Sequence, residues 1–123
     1  MYGDEAGETW LAEVEFPSGF GAAIPAIALR IGLLRSPHLE FHPAPARGLV
    51  VALRGEFEIG TTSGDRRRFR QGEWLFADDV GSKGHTFEAF GAEQELIHCT
   101  VPDAWRDWTT VPNSAIIGSH NNG

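Results

Sequence analysis

The chain has one cysteine, one tyrosine and no long hydrophobic run among its 123 residues. A single cysteine, Cys99, cannot form an intramolecular disulfide, so a hydrophobic core must stabilise the fold. A chain of this length buries roughly two-thirds of the surface that it exposes when unfolded, which suffices for one domain. No stretch approaches the ~18 consecutive apolar residues of a membrane span. These features predict a single soluble domain over residues 1–123, with a flexible tail at about 112–123.

Positive charge is also scarce. The formal net charge is −7 at neutral pH, which disfavours binding to a phosphate backbone. The first ten residues, MYGDEAGETW, are acidic and lack the basic and apolar regions of a secretory signal. We therefore expect a cytoplasmic protein that binds neither nucleic acid nor a membrane.

Fifteen glycines and seven prolines interrupt the chain, which is too many breakers for long helices. Apolar and alternating stretches between them predict an all-β fold with strands at 26–32, 48–54, 56–60, 66–69, 74–77, 86–90 and 95–101. Phe57 and Ile59 are expected on the buried side of their strand, and residues 62–65 are expected to form a hairpin turn. Only residues 103–108 are expected to be helical. Strands at this spacing are typical of a sandwich or a barrel.

The glycines and histidines of the central region resemble the two motifs of the cupin superfamily, G-x5-H-x-H-x3-4-E-x6-G and G-x5-P-x-G-x2-H-x3-N. Gly55 matches the closing glycine of the first motif, Gly72 the opening glycine of the second, and His85 its histidine. The segments LVVALRGEFEI and RRFRQGEWLFADDVGSKGH are similar to those of small single-domain bacterial cupins. The resemblance covers about residues 26–101. It implies a small antiparallel β-barrel of the jelly-roll type that holds a ligand or a metal.

The resemblance implies that His42 and His85 face one site, and we expect their rings to lie within a few ångströms of each other. Two other ligand positions of the family carry Ala44 and Gly48 here. Strand alternation places Glu40 on the same side as His42 if that segment is extended. Two histidines and a carboxylate suit a divalent metal, with iron, manganese, zinc or nickel as candidates and weak or partial occupancy expected. The other interpretation is that both histidines only form hydrogen bonds in the cavity.

The remaining polar residues of the central region are given structural roles. Asp78 and Asp79 are expected to shape the turn before His85, and His98 is expected to be a core histidine. Cys99 is expected to be a buried thiol. The arginines at positions 66–70 are expected on a solvated strand that faces nearby carboxylates.

Two classes of function stay open. In the first, which we favour, the barrel binds a small organic ligand through His42, His85, Arg47 and Glu40. In the alternative, the protein is a metal-dependent enzyme of the oxygenase or isomerase type, with metal on His42 and His85. The resemblance to small cupins, which are commonly dimers, also implies a homodimer. The alternating segment 9–16 is the candidate shared strand, and Trp105 and Trp108 are expected to dock a short helix.

Overall fold

The structure, a computed structural model, describes residues 1–15, 24–32, 38–105 and 109–110. These residues are all-β, as the sequence predicts. The strands are β1 (Tyr2–Gly3), β2 (Thr9–Trp10), β3 (Val14–Glu15), β4 (Ala28–Gly32), β5 (His38–His42), β6 (Gly48–Thr61), β7 (Arg66–Phe69), β8 (Trp74–Ala77), β9 (His85–Thr100) and β10 (Thr109–Thr110). None of the described segments forms a helix long and apolar enough to cross a membrane.

The helix expected at 103–108 is absent from the part of that range that the structure describes. Residues 103 and 104 form a turn, and the Trp105 amide donates to the Pro102 carbonyl at 3.1 Å. A bond of this span, from residue i+3 to residue i, closes one turn and does not by itself propagate a helix. Residues 106–108 and the expected tail at 112–123 lie outside the described ranges.

One antiparallel sheet of six strands dominates the fold. Its pairings run in the order β4-β9-β6-β7, with β5 also paired to β9 and β8 also paired to β6. Two small sheets pair β1 with β2 and β3 with β10. No described pairing joins the β4 and β5 side to the β7 and β8 side. The expected closure into a barrel is therefore not seen among the described strands, and this expectation is corrected to open antiparallel sheets.

The two longest strands each join segments that the sequence separates. Gly55 lies inside β6 with a φ of 73°, and Gly91 lies inside β9 with a φ of 114°. A Cβ atom on Gly55 would lie 2.8 Å from the carbonyl oxygens of both Phe90 and Glu93, so only glycine fits there. The pairing register between β6 and β9 shifts at this point, as it does at a β-bulge. The glycines therefore bend two long strands instead of ending four short ones.

The core is built around three stacked phenylalanine rings. Phe57 lies 4.8 Å from Phe69 and 5.1 Å from Phe87 between ring centroids. Phe57 and Ile59 are fully buried, which confirms the predicted inward side of that strand. The hairpin turn at 62–65 is also confirmed, since the Asp65 amide donates to Thr61 Oγ1 at 3.0 Å across it.

The N-terminal segment packs on its own chain. Trp10 pairs with Tyr2, Leu11 is 1% exposed, and Val14 pairs with Thr110. The segment expected to be one shared strand is thus two short strands, β2 and β3, and its last residue, Phe16, lies outside the described ranges.

His98 supplies a prediction about acid stability. Its strand position faces Val50 on one neighbour and Arg30 on the other, and it is partly buried. Burial lowers the pKa of His98, and the Arg30 charge lowers it further. The unfolded chain therefore takes up this proton at a higher pH than the folded chain does. This contribution to the free energy of unfolding is complete above about pH 6.5, the ordinary histidine pKa, and is lost as the pH falls below that value.

We expect a His98→Gln variant to lose less stability than the parent protein between pH 7 and pH 5.5. Urea denaturation at these two pH values measures the difference. Between pH 7 and pH 8, the free energies of unfolding of the two proteins should change with pH in parallel. Equal losses in both proteins would show that His98 does not contribute to acid sensitivity.

Candidate functional site

The turn before His85 is closed by its own polar groups. The Ser82 amide and hydroxyl both donate to the Asp79 carbonyl, at 3.1 and 2.6 Å, and the Gly84 amide donates to Ser82 Oγ at 3.0 Å. The Thr9 hydroxyl donates to the Gly84 carbonyl at 2.7 Å, which ties the turn to the N-terminal segment. The turn therefore holds a fixed shape where β9 begins at His85.

A buried ion pair or hydrogen bond orients the His85 ring. Nδ1 of His85 lies 2.6 Å from Oδ2 of Asp79. Asp79 is fully buried and His85 is 7% exposed. The other carboxylate oxygen of Asp79 accepts the Ala44 amide at 3.2 Å. One aspartate thus links the turn, the first residue of β9 and the chain that leaves β5.

His42 lies directly opposite His85 in the pairing of β5 with β9. The two ring centroids are 5.8 Å apart, and the ring planes are tilted by 38°. The predicted proximity of the two rings is confirmed. His42 is solvent-exposed, and its Nδ1 lies 3.0 Å from the Pro43 carbonyl oxygen, which can only accept a hydrogen bond. The pair therefore joins one buried ring to one exposed ring at the surface.

Glu40 and Arg47 are placed differently from the two histidines. Glu40 lies in β5, which is extended as the sequence argument requires, and it is exposed. Arg47 is only 3% exposed and forms two hydrogen bonds to the Asp78 carboxylate, at 2.7 and 3.2 Å. The same guanidinium donates to the carbonyls of Pro102, Asp103 and Trp105. Arg47 thus fastens the turn at 102–105 to the end of β8.

The donor set fits a metal only in part. Among the described residues, no three histidine, cysteine or acidic side chains are grouped so that they could hold an ion. The two imidazoles nevertheless share a feature of metal-ligating histidines, whose second ring nitrogen donates to a carboxylate or a backbone carbonyl. Asp79 is that partner for His85, and Pro43 for His42. An ion here would have two protein ligands and would take its others from water or a bound molecule.

A cleft of about 530 Å³ lies on another part of the molecule, between the N-terminal segment and the β7–β8 region. Its walls include Leu11, Phe69, Trp74 and Leu75, with Arg67 and Glu73 among the charged groups. Neither His42 nor His85 lines it. The volume lies in the range of small-molecule sites, so the cleft is a competing location for a ligand.

The remaining residues that the sequence analysis discussed are buried or form surface ion pairs. Cys99 is buried. Three arginines of β7 lie within 3.6 Å of carboxylates, which confirms the expected solvated, paired strand: Arg66 with Glu58, Arg67 with Glu73 and Arg68 with Glu56. The pairing of Asp79 with His85 is the main feature that sequence reasoning missed. Its only local sign is an aspartate six residues before a histidine, across a turn with two glycines.

Comparison with known proteins identifies no family. No protein-family model matches the chain, and neither a curated protein nor a solved structure matches it significantly. The class that the structure defines is therefore an antiparallel all-β domain with an aspartate-oriented histidine pair at one strand end.

Proposed function

We propose that this protein is a small-molecule-binding domain of the cupin type, with its ligand held beside His42 and His85. The observation that carries the proposal is the buried Asp79–His85 contact, which holds one ring in place 5.8 Å from a second, exposed ring. An imidazole held in a fixed orientation supplies a hydrogen-bonding group without the entropy cost of ordering it on binding. The sequence resemblance supports the cupin assignment, and so do the antiparallel all-β strands, although the described strands do not close into the barrel of that family.

His85 and His42 would act differently on a bound molecule. Nδ1 of the buried His85 ring lies 2.6 Å from Asp79 Oδ2, and a neutral ring that donates from Nδ1 to this carboxylate has its lone pair on Nε2. The exposed His42 ring lies on the solvent side and would contact the same molecule from there. Glu40, two residues before His42 in β5, is exposed and adds negative charge nearby. This arrangement favours a small polar ligand that carries a hydrogen-bond donor.

The test is NMR of protein with isotope-labelled histidine rings, titrated with a library of small alcohols, amides and ammonium compounds. We expect a binding compound to shift the ring signals of His42 and His85 together and to saturate, while the His98 ring signals stay in place. His42→Gln and His85→Gln should each lower the affinity for that compound at least tenfold. Compounds that shift the Trp74 indole signal but neither ring would assign binding to the 530 Å³ cleft and contradict the proposal.

A second candidate function is metal-dependent catalysis, favoured by the hydrogen bonds from the Nδ1 atoms of both rings to a carboxylate and a carbonyl. His42 and His85 would hold a divalent ion, and Asp79 would keep the His85 ring in its ligating orientation. A bound ion would supply Lewis-acid polarisation of a ligand oxygen. The chain's own contribution would be to orient the two rings and to leave coordination positions open for substrate.

Metal binding gives a separate prediction. In calorimetric titrations with zinc and nickel, we expect one weak site per chain that chelator removes readily, because only two protein ligands are available. His85→Ala should abolish the site, and Asp79→Asn should weaken it by about 10–100-fold, as loss of a ligand's hydrogen-bond partner does. His98→Gln is the matched control and should bind as the parent does. Unchanged binding in His85→Ala would show that the ligands lie elsewhere.

A further inference from the structure

Four large apolar side chains are exposed on β4 and β5. Their exposed fractions are 61% for Leu29, 57% for Ile31, 64% for Leu39 and 51% for Phe41. Leu29 and Ile31 alternate with Arg30, which pairs with the core-facing position of His98. Phe41 likewise alternates with His42. Alternation thus puts Leu29 and Ile31 on the face of the sheet that points away from the core. Leu39 and Phe41 adjoin His38 and His42, which pair with the buried residues Phe87 and His85, and the register of β5 shifts between these two pairs.

The two strands form one edge of the sheet. β4 pairs with residues 96–100 of β9, and β5 pairs with the 85–87 end of the same strand. Both are antiparallel to β9, so they run in the same direction, one after the other along its side. Within the described ranges, no further strand pairs with either of them. Such an edge presents backbone amides and carbonyls to another chain.

The two strands of this edge carry opposite charges at their centres. Arg30 is the central residue of β4, and Glu40 is the central residue of β5. Both are exposed, and neither has an ion-pair partner within the part of the chain that the structure describes. An antiparallel pairing that aligns the two centres would bring these opposite charges together.

We propose that this edge is a homodimer interface in which β4 of one copy pairs antiparallel with β5 of a second copy. Arg30 then faces Glu40 of the second copy, and on the other face Leu29 meets Phe41 while Ile31 meets Leu39. Because both strands run in one direction along one edge, a two-fold axis between them forms the two pairings at once. A two-fold interface requires this reciprocity.

The pairing has a consequence for the histidine site, although the dimer does not depend on the proposed function. Alignment of Arg30 with Glu40 of the second copy also aligns Ala28 with His42 of that copy. The exposed His42 ring would then lie at the border of the two chains.

Sedimentation velocity on the full chain and on charge-reversed variants tests the dimer. We expect the parent to sediment with twice the monomer mass, and Arg30→Glu or Glu40→Arg alone to weaken dimerisation at least tenfold. The double variant Arg30→Glu with Glu40→Arg should restore it, because the opposite charges are again aligned. Arg54→Glu is the control, since Arg54 has a similarly exposed side chain, 58% of its surface, and lies outside the edge. That variant should dimerise as the parent does.

A cysteine pair tests the register itself. Ile31→Cys with Leu39→Cys, in a Cys99→Ser background, should give a covalent dimer on oxidation, while each single variant should not. A parent that remains monomeric at high concentration would overturn the proposal. A dimer that survives both single charge reversals, and that the cysteine pair does not cross-link, would overturn it equally.

Discussion

An Arg47→Ala variant is expected to lose about 2–4 kcal/mol of its free energy of unfolding. The guanidinium is 3% exposed and is the common partner of the Asp78 carboxylate and of three backbone carbonyls at 102, 103 and 105. Its removal takes one donor away from these partly buried acceptors and removes a cation–π contact with Phe76, 5.2 Å from the ring centroid. The loss falls below the full penalty of a broken buried pair because the Asp78 side chain keeps 34% exposure.

Urea denaturation measures this loss, and two variants show where it comes from. Arg54→Ala removes an arginine that is 58% exposed and paired with exposed Glu93, so it should cost less than about 1 kcal/mol. Arg47→Met combined with Asp78→Leu removes both charges and should recover part of the loss. An Arg47→Ala variant as stable as Arg54→Ala would show that the buried contacts of Arg47 contribute nothing.

Arg47 also shows where sequence reasoning stops. The sequence analysis assigned Arg47 to the ligand site as a polar group. Its partners, however, are Asp78 and the turn after β9, which are 31 and more than 50 residues away. No periodicity or spacing encodes such contacts, because they depend on how the strands are placed in the sheet. The same reason explains the missed contact between Asp79 and His85.

Features set by neighbouring residues were predictable. Alternation placed Phe57 and Ile59 inside, and the Thr-Ser-Gly-Asp segment placed the hairpin turn. The proximity of His42 and His85 came from a family resemblance and not from alternation, since 43 positions separate them. The described strands do not form the expected barrel. Barrel closure requires pairing between distant sheet edges, and no local feature of the sequence shows whether such pairing occurs.

Gly84→Ala is the substitution that should disturb the histidine pair most directly. Gly84 has a φ of 92°, a conformation that costs any other residue energy. A Cβ atom here would also overlap the carbonyl carbon and oxygen of His42 and the nitrogen of Pro43. These are backbone atoms of the chain leaving β5, so they can yield only if β5 moves away from β9. We expect a loss of about 2–4 kcal/mol in the free energy of unfolding, from backbone strain together with overpacking.

Gly81→Ala is the matched control, because Gly81 lies in the same turn with a φ of 79° and has nothing within 4 Å of its Cβ position. It should show the backbone strain alone, so the difference between the two variants measures the close approach of the turn to β5. In NMR spectra, Gly84→Ala should change the ring signals of both His42 and His85, whereas Gly81→Ala should leave them near their parent positions. Equal stability losses, with both rings undisturbed, would show that the turn does not position the two histidines. The expected result would show that glycine at position 84 allows the turn to pass close enough to β5 for His85 to face His42.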